Sequence, residues 1–552
     1  MSRTPLMRAL RDIAAHRAAA DRLGMPVAEV RGATRRELLR RAAAVGAAVG
    51  AGTALAATPA RAHAATGPGP AAPDRSGPRV AVVGAGIAGL TAALTLADAG
   101  LRCTLYEANP DRVGGRMWTQ RGHWTHGRTS EIGGELIDTG HETVLALCRR
   151  FGLAVEDFAG GGPEGAREVL WFGGGYYPRD RADEDFAAVR RALRRDLRAA
   201  GDVTWDRHTP GAVALDTMSL YEWIETRVPG GHGSPFGRFL DVAYNVEYGA
   251  DTTEQSALAL VLLMGYQPEG RGFSVWGESD ERFHIAGGND RLPRAVAGAL
   301  PPGTLRSGWE LTAVRAEAGG GQTLTFTEDG ATRTVTADHT VLCLPVPVLQ
   351  RLDLGRAGLD PRMRRLLRDA RMGHCTKLNL ECSTRPWRGT GPWPGVTAGD
   401  AFTDTDVQQT WDTTKLRPGR GGVLIQYNGG SLAARLRPAE PFATESDPYV
   451  RELAARRLRG IDAFFPGTSR AWNGRAQLSA WHRDPYALGA YSYWPVGYVH
   501  RYAGYEGTPQ GPRGTLHFAG EHTSADFQGF MEGGAAEGAR AAREVLTATR
   551  RS

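Results

Sequence analysis

Three glycines, at 84, 86 and 89, follow the apolar run Val80 to Val83, and an acid, Glu107, ends the next apolar run. Those residue types at that spacing suit the binding of a dinucleotide. Gly84 lets the chain turn, Gly86 admits a pyrophosphate where a Cβ would stand in the way, and Gly89 lets a helix pack on the preceding strand. The phosphate would sit on the helix N-terminus, where backbone N–H groups and the dipole favour an anion. An acid about 20 residues beyond the glycines accepts hydrogen bonds from the ribose of an adenosine.

The elements that must hold these residues follow from the pattern around them. Val80 to Val83 reads as a buried parallel strand and Ile87 to Ala99 as a helix with Leu90, Leu94 and Ala97 at helical spacing. Cys103 to Tyr106 reads as the next strand, ending in Glu107. A glycine turn alone also arises from packing; strand, helix and acid together favour the dinucleotide.

Two further glycine segments follow. Asn109 to Arg116 is a loop ending Gly114-Gly115-Arg116, in which the glycines bring backbone to a ligand and the arginine offers a donor fork for phosphate. A surface turn with a solvated arginine fits it equally. Glu131 to Asp138, EIGGELID, is a second apolar Gly-Gly segment, before a helix from His141 to Phe151. In this order the GxGxxG strand, the acid, the GGR loop and the second Gly-Gly segment resemble the flavin-containing amine oxidase family, which includes monoamine, polyamine and L-amino acid oxidases. Later segments continue the resemblance: the turn Gly287 to Leu292, the run Val341 to Val348, read as a buried strand closed by two prolines, and Leu516 to Ala535, read as strand, glycine turn and helix.

The resemblance implies an α/β, two-domain fold, with a Rossmann-like FAD domain and a mixed α+β substrate domain. Residues 79–154, 283–350 and 505–548 would form the first, and 155–282 with 351–504 the second. It also implies roles. Gly84, Gly86, Gly89, Glu107, Gly115, Arg116, Gly133, Gly134, Glu135, Leu311, Gly520, Glu521 and Met531 would hold non-covalent FAD, Leu311 through a backbone contact to adenine. Lys377 would reach the flavin N5 through a water. Tyr491 and Phe530 would wall the amine on two sides, Trp481 would join the catalytic set, and Leu136 would line the substrate. Phe530 replaces a tyrosine of the monoamine oxidases, keeping the wall and losing a hydroxyl. Taken without the resemblance, a lysine at a strand start is ordinarily exposed, and the aromatics Trp481, Tyr486, Tyr491, Tyr493 and Trp494 are ordinarily core.

The chemistry so implied is removal of a hydride equivalent from the carbon beside nitrogen, with flavin as acceptor and then O2, giving hydrogen peroxide. The imine hydrolyses to an aldehyde or keto acid with loss of ammonia. An amine has a pKa near that of lysine, about 10.4, and a desolvated aromatic slot favours its neutral form. A flavoprotein desaturase or dehydrogenase that does not use O2 would share the FAD motifs. A nicotinamide dehydrogenase or a non-catalytic nucleotide-binding protein would share the first motif only. Lys377 with the aromatic pair favours an oxidase.

Substrate choice turns on Leu136. Many L-amino acid oxidases place an arginine a few residues after the second Gly-Gly to clamp the substrate carboxylate, and an unpaired carboxylate in an aromatic slot is costly. Leu136 between Glu135 and Ile137 favours a primary amine, diamine or polyamine, whose second amino group would meet Glu135 or Asp138. The alternative is an L-amino acid oxidase for basic L-amino acids, if Arg128 or Arg282 reaches the slot.

Charge and composition bound the rest. The 552 residues carry a net charge of +6, but residues 1–64 hold eleven arginines against four acids, so the excess lies in the leader and no nucleic-acid partner is indicated. Arg35-Arg36 precedes an alanine-rich apolar run, Ala42 to Ala57, and small-residue cleavage sites near Ala62 and Ala64. Residues 1–64 thus resemble a twin-arginine signal peptide, with 65–78 a linker, and the protein is expected to be secreted or held at the cell envelope. No stable membrane insertion is expected after cleavage; a homodimer is compatible with the reading. The five cysteines show no metal-ligand spacing and read as buried thiols, so no metal is expected. Phe186, Val189, Leu193 and Leu197 share a helical face opposite five arginines, which read as solvated.

Overall fold

The computed structural model describes residues 77–267 and 273–550. The twin arginine, the apolar run after it and nearly all of the linker lie outside the described residues.

Five parallel strands form one sheet, in the order Leu516–Phe518, His339–Leu342, Val80–Val83, Cys103–Glu107 and Leu305–Ser307. Val80–Val83 is central and can be apolar throughout because both faces are covered. Val80 and Val82 pack with Leu90 and Leu94 of the helix Ile87–Asp98 and with the last helix, Met531–Thr549. Ala81 and Val83 pack on the other side with Leu311, Leu324 and Phe326, which belong to the antiparallel sheet Glu310–Ala316, Gln322–Glu328 and Ala331–Ala337. Gly538 allows the two helices to meet: a Cβ there would lie 2.0 Å from the Ala88 carbonyl oxygen.

The run 341–348 does not form one strand. Its strand part ends at Leu342, and Val346–Leu349 turns into a short helix with Pro345 at the N-cap. Proline has no N–H for a sheet ladder and is at home in a first helical turn, so the two prolines convert the apolar run from strand to turn.

A second sheet of seven strands has Cys375–Cys382 between Gly422–Gly429 and Trp472–Ala480, antiparallel to both. Every residue of Cys375–Cys382 is buried, polar ones included. The strand's two alternating faces pack differently: Leu378 and Leu380 enter an apolar cluster with Phe464 and Phe465, while the polar face docks on residues 125–135. Lys377 reaches Glu135, Asn379 donates to Ser130 Oγ at 2.9 Å, and Glu381 accepts from Thr125 N at 3.0 Å. This strand therefore carries the polar seam between the second sheet and the Gly-Gly segment.

Between the sheets' segments runs a helical stretch that includes Arg179–Ala200, Pro235–Tyr248 and Ala257–Met264. Phe186, Val189 and Leu193 are buried and Arg190, Arg191, Arg194, Arg195 and Arg198 exposed, the arrangement their spacing indicated. All five cysteines are free thiols, four of them buried. Among the described residues no helix is long and apolar enough to cross a membrane, and no three His, Cys, Asp or Glu side chains gather as a metal site.

Candidate active site

The three glycines are where their absent side chains matter. Gly84 has φ +96°, and a Cβ on it would stand 2.7 Å from the Cys343 carbonyl oxygen; one on Gly89 would stand 1.9 Å from the Gly84 carbonyl oxygen. Gly86 differs: its Cβ would meet only the Gly115 Cα, at 4.0 Å. A bridge pairs Gly86 with Gly114, so the first loop and the GGR loop form an all-backbone cradle. Above it starts the helix Ile87–Asp98, with no side-chain cap and no acid in its first turn. Such an end favours an anion. Glu107 turns back toward the cradle, accepting from Ala85 N at 2.6 Å and Asn109 N at 2.8 Å. Burial pushes its carboxyl above the ordinary range despite those bonds, and a carboxylate has further lone pairs for ribose hydroxyls. Cradle, open helix end and acid fit a dinucleotide.

Arg116 carries the cradle to the chain's end. Its Nη1 lies 3.0 Å from Glu521 Oε1. Glu521 also accepts from Ser492 N at 3.1 Å, Ser492 Oγ at 2.6 Å and Gly529 N at 2.8 Å. Burial would raise its carboxyl, but Arg116, His522 and these bonds hold it below the usual value. Glu521 is thus the junction of three segments far apart in the chain.

The segment 131–136 is clamped from every side. A Cβ on Gly133 would lie 1.9 Å from the Arg116 carbonyl oxygen, and one on Gly134 2.9 Å from Met531 Cγ. Asn289, from the turn after Ile285, donates to the carbonyls of Gly134 at 3.0 Å and Glu135 at 2.7 Å. Glu131 accepts from Thr119 Oγ1 and Asn289 N and faces His284 Nε2 at 2.9 Å. On this support Glu135 meets Lys377: Nζ lies 2.7 Å from Glu135 Oε2 and 2.8 Å from the Gly133 carbonyl oxygen. The other oxygen of Glu135 accepts from Thr413 Oγ1 at 2.6 Å and Trp411 Nε1 at 3.2 Å.

The aromatic residues divide. Tyr491 donates to the Val246 carbonyl at 3.0 Å and its hydroxyl lies 3.3 Å from that of Tyr427. Tyr427 in turn stands edge-on to Trp411, with centroids 5.3 Å apart. A Cβ on Gly529 would be 3.2 Å from the Tyr491 ring, so the turn leading into Phe530 lies on that ring. Phe530 packs edge-on to His141 at 5.1 Å and opens the helix Met531–Thr549 as its N-cap. Trp481 is buried beside Gly133, its indole N–H donating to the Ile132 carbonyl at 3.0 Å and its ring edge-on to Phe442. Leu136 packs with Phe158, Trp411 and Ile425. Leu311 lies apart from the Lys377 cluster, in the core beside Tyr106.

Two substrate expectations change. Neither Glu135 nor Asp138 waits for a second amino group: Glu135 is taken by Lys377, and Asp138 accepts from Ser279 Oγ at 2.8 Å and Glu281 N at 2.9 Å. The two candidate arginines also have partners of their own. Arg128 pairs with Glu381 at 3.0 Å and Arg282 with Asp157 at 2.7 Å. Sequence reading missed Tyr427, Trp411, Thr413 and Ser492 because ordinary strand and loop residues carry no local mark of what lies across the fold. Asn289 stood in a noticed glycine turn and was given no role.

Comparison with known proteins agrees with this geometry. A family model described as flavin containing amine oxidoreductase matches residues 87–546. The L-amino-acid oxidase of Mus musculus is 25% identical over 486 residues, covering 85% of this chain and 70% of that protein. The L-amino acid oxidase Cdc18 of Crotalus durissus cumanensis is 24% identical, covering 85% and 90%. Two solved structures share the fold: putrescine oxidase bound to putrescine, at 22% identity, covering 85% of this chain and 99% of that one, and cyclohexylamine oxidase from Brevibacterium oxydans, at 23%, covering 86% and 99%. Both have a TM-score of 0.69.

Proposed function

Since the chain belongs to the flavin containing amine oxidoreductases, we propose that it binds FAD without a covalent link and oxidises an amine lacking a carboxylate. Primary amines, diamines and polyamines are the class, O2 is the acceptor, and an aldehyde, ammonia and hydrogen peroxide are the products.

Bound FAD supplies the acceptor for a hydride equivalent from the carbon beside nitrogen and hands the electrons to O2. The chain's own part is to hold, orient and desolvate. The cradle of Gly86, Gly114 and Gly115, the helix end at Ile87 and Glu107 would hold the adenosine diphosphate part, and Arg116 with Glu521 would stand along the remainder. Tyr491 and Phe530 would flank the amine. Burial pushes the hydroxyls of Tyr491 and Tyr427 well above the ordinary phenol value, so these walls stay neutral. Apolar neutral walls disfavour an ammonium and select the amine form that can be oxidised.

The observation that carries the substrate class is the fate of the arginines. Leu136 stands where a clamp is expected, Arg128 is held by the buried Glu381, and Arg282 faces Asp157 at the surface. With Glu135 and Asp138 engaged, the acid that a second ammonium would relieve is Glu281, whose carboxyl is pushed up to about 8 by burial and by Glu247 and Asp138. A second reading, oxidation of a basic L-amino acid, draws support from the two L-amino acid oxidases above. The leader, with Arg35-Arg36 before its apolar run, supports export by the twin-arginine route.

The test is kcat/KM for matched pairs, cadaverine with L-lysine and agmatine with L-arginine, on protein whose visible spectrum shows flavin. The amine of each pair is expected to win. A preference of about tenfold, roughly 1.4 kcal/mol, for the carboxylated partner selects the second reading.

A further inference from the structure

We propose that Glu135 is a positioning residue that keeps Lys377 a fixed cation, so that Lys377 serves the flavin site as a charge and hydrogen-bond donor and never as a base. The part that concerns flavin rests on the function proposed above.

The pair is closed on the carboxylate side and open on the other. Lys377 Nζ gives one donor to Glu135 Oε2 and one to the Gly133 carbonyl. An ammonium has three N–H donors, so these contacts leave a third. Glu135 Oε1 is held by Thr413 and Trp411, from the second sheet, and the Glu135 carbonyl by Asn289. The carboxylate can thus neither swing away nor take another partner without breaking its bonds to Lys377, Thr413 or Trp411. The cation also stands 5.4 Å over the Trp411 ring, on the electron-rich face that attracts positive charge.

Both side chains are buried, Lys377 at 7% and Glu135 at 5% exposure, so neither charge is screened by water. Burial alone would raise the Glu135 carboxyl, but Lys377 and Thr413 hold it below the ordinary value. The other titratable groups facing the pair do not replace Glu135. Burial would lower His284, but Glu131, to which it is turned, pushes it upward toward the cation, so it offers no negative charge; Cys375 and Tyr427 are buried and pushed upward, which leaves these two uncharged. Removing the carboxylate would leave an uncompensated buried ammonium, whose proton is then lost at lower pH.

The experiment compares wild type, Glu135→Gln, Lys377→Met and the double variant in two readouts. In the flavin-loaded proteins without substrate, the visible spectrum is titrated from about pH 6 to 10. Wild type should stay flat and Glu135→Gln should show a new transition within this range that wild type lacks. The double variant should lose it. A flat Glu135→Gln titration, or a transition that survives in the double variant, overturns the proposal. If Glu135→Gln yields no folded protein, Glu135→Asp takes its place, with a transition in the upper half of the range expected and none overturning. The second readout is urea unfolding of the four flavin-free proteins. The double variant should be less destabilised than the two single losses added together, and strict additivity overturns the pairing. A wild type that binds no flavin defeats the proposed function, and the unfolding cycle still decides the pair.

Discussion

Arg116 and Glu521, 405 residues apart in the chain, meet at 3.0 Å. The pair ties the loop after the second strand to the turn before the last helix. Arg116 is the main positive partner holding the buried Glu521 carboxyl low.

Replacing Arg116 by Met should therefore cost about 2 to 3 kcal/mol at neutral pH, below the roughly 3 to 5 kcal/mol for breaking a fully buried pair because Arg116 is a quarter exposed. In wild type Glu521 contributes stability above the unfolded carboxyl value, about 4.3, and loses it as pH falls through its lower folded value. In the variant the stranded carboxyl gains from protonation, so the gap should narrow toward about pH 4. Urea unfolding at pH 4 and pH 7 measures it, and an unchanged gap would contradict this account.

FAD should leave the protein on acid precipitation, turning the supernatant yellow. Ala490 precedes Tyr491, and no cysteine follows Cys382. The thiol that packs in the same cluster, Cys375, is pushed up to about 11 by burial and stays protonated, which removes its nucleophilicity. Colour retained in the pellet would show a covalent link.

Lys377→Met should keep FAD, because the segment it bonds is held independently, with Asn289 donating to the carbonyls of Gly134 and Glu135. It should slow flavin reduction by the amine, or reoxidation by O2, by about tenfold or more, roughly 1.4 kcal/mol. Stopped-flow traces of the two half-reactions separate these steps, and wild-type rates in both would remove Lys377 from the mechanism.

Glu506→Gln should make the protein less sensitive to base. Glu506 lies buried in a cavity with Tyr498, His522 and Gln528, and burial pushes its carboxyl up to about 8. A carboxyl raised in the fold contributes stability below the unfolded value, about 4.3, and loses it as pH climbs toward the folded value. The variant, which carries no such proton, should gain on wild type by roughly 3 to 4 kcal/mol between about pH 5 and 8. Unfolding free energies at those two values test it, and a constant difference would show that Glu506 is ionised in the fold.

Local rules carried the reading of residues 80–107. The turn at Gly84, the contact of Gly89 with its own strand and the acid at Glu107 all depend on neighbours within one strand–helix–strand unit, so spacing and residue type were enough. The same holds for the arginine-covered helix around Phe186, where one period decides both faces, and for the resemblance that named the cofactor. The run 341–348 shows the limit of apolar content as a signal: two prolines decided its conformation against its hydrophobicity.

Partnership across the fold was decided only by tertiary structure. Lys377 was marked by resemblance, yet its partner 242 residues away could not be read from either segment. Both halves of the seam look ordinary by themselves: an alternating strand, and an acid after two glycines. What joins them is the burial of a polar strand face, which costs too much unless every donor and acceptor finds a partner. That requirement pairs Lys377 with Glu135, Asn379 with Ser130 and Glu381 with Thr125. It also gives Glu135, Asp138 and Arg128 partners inside the protein that neither of their own segments announces.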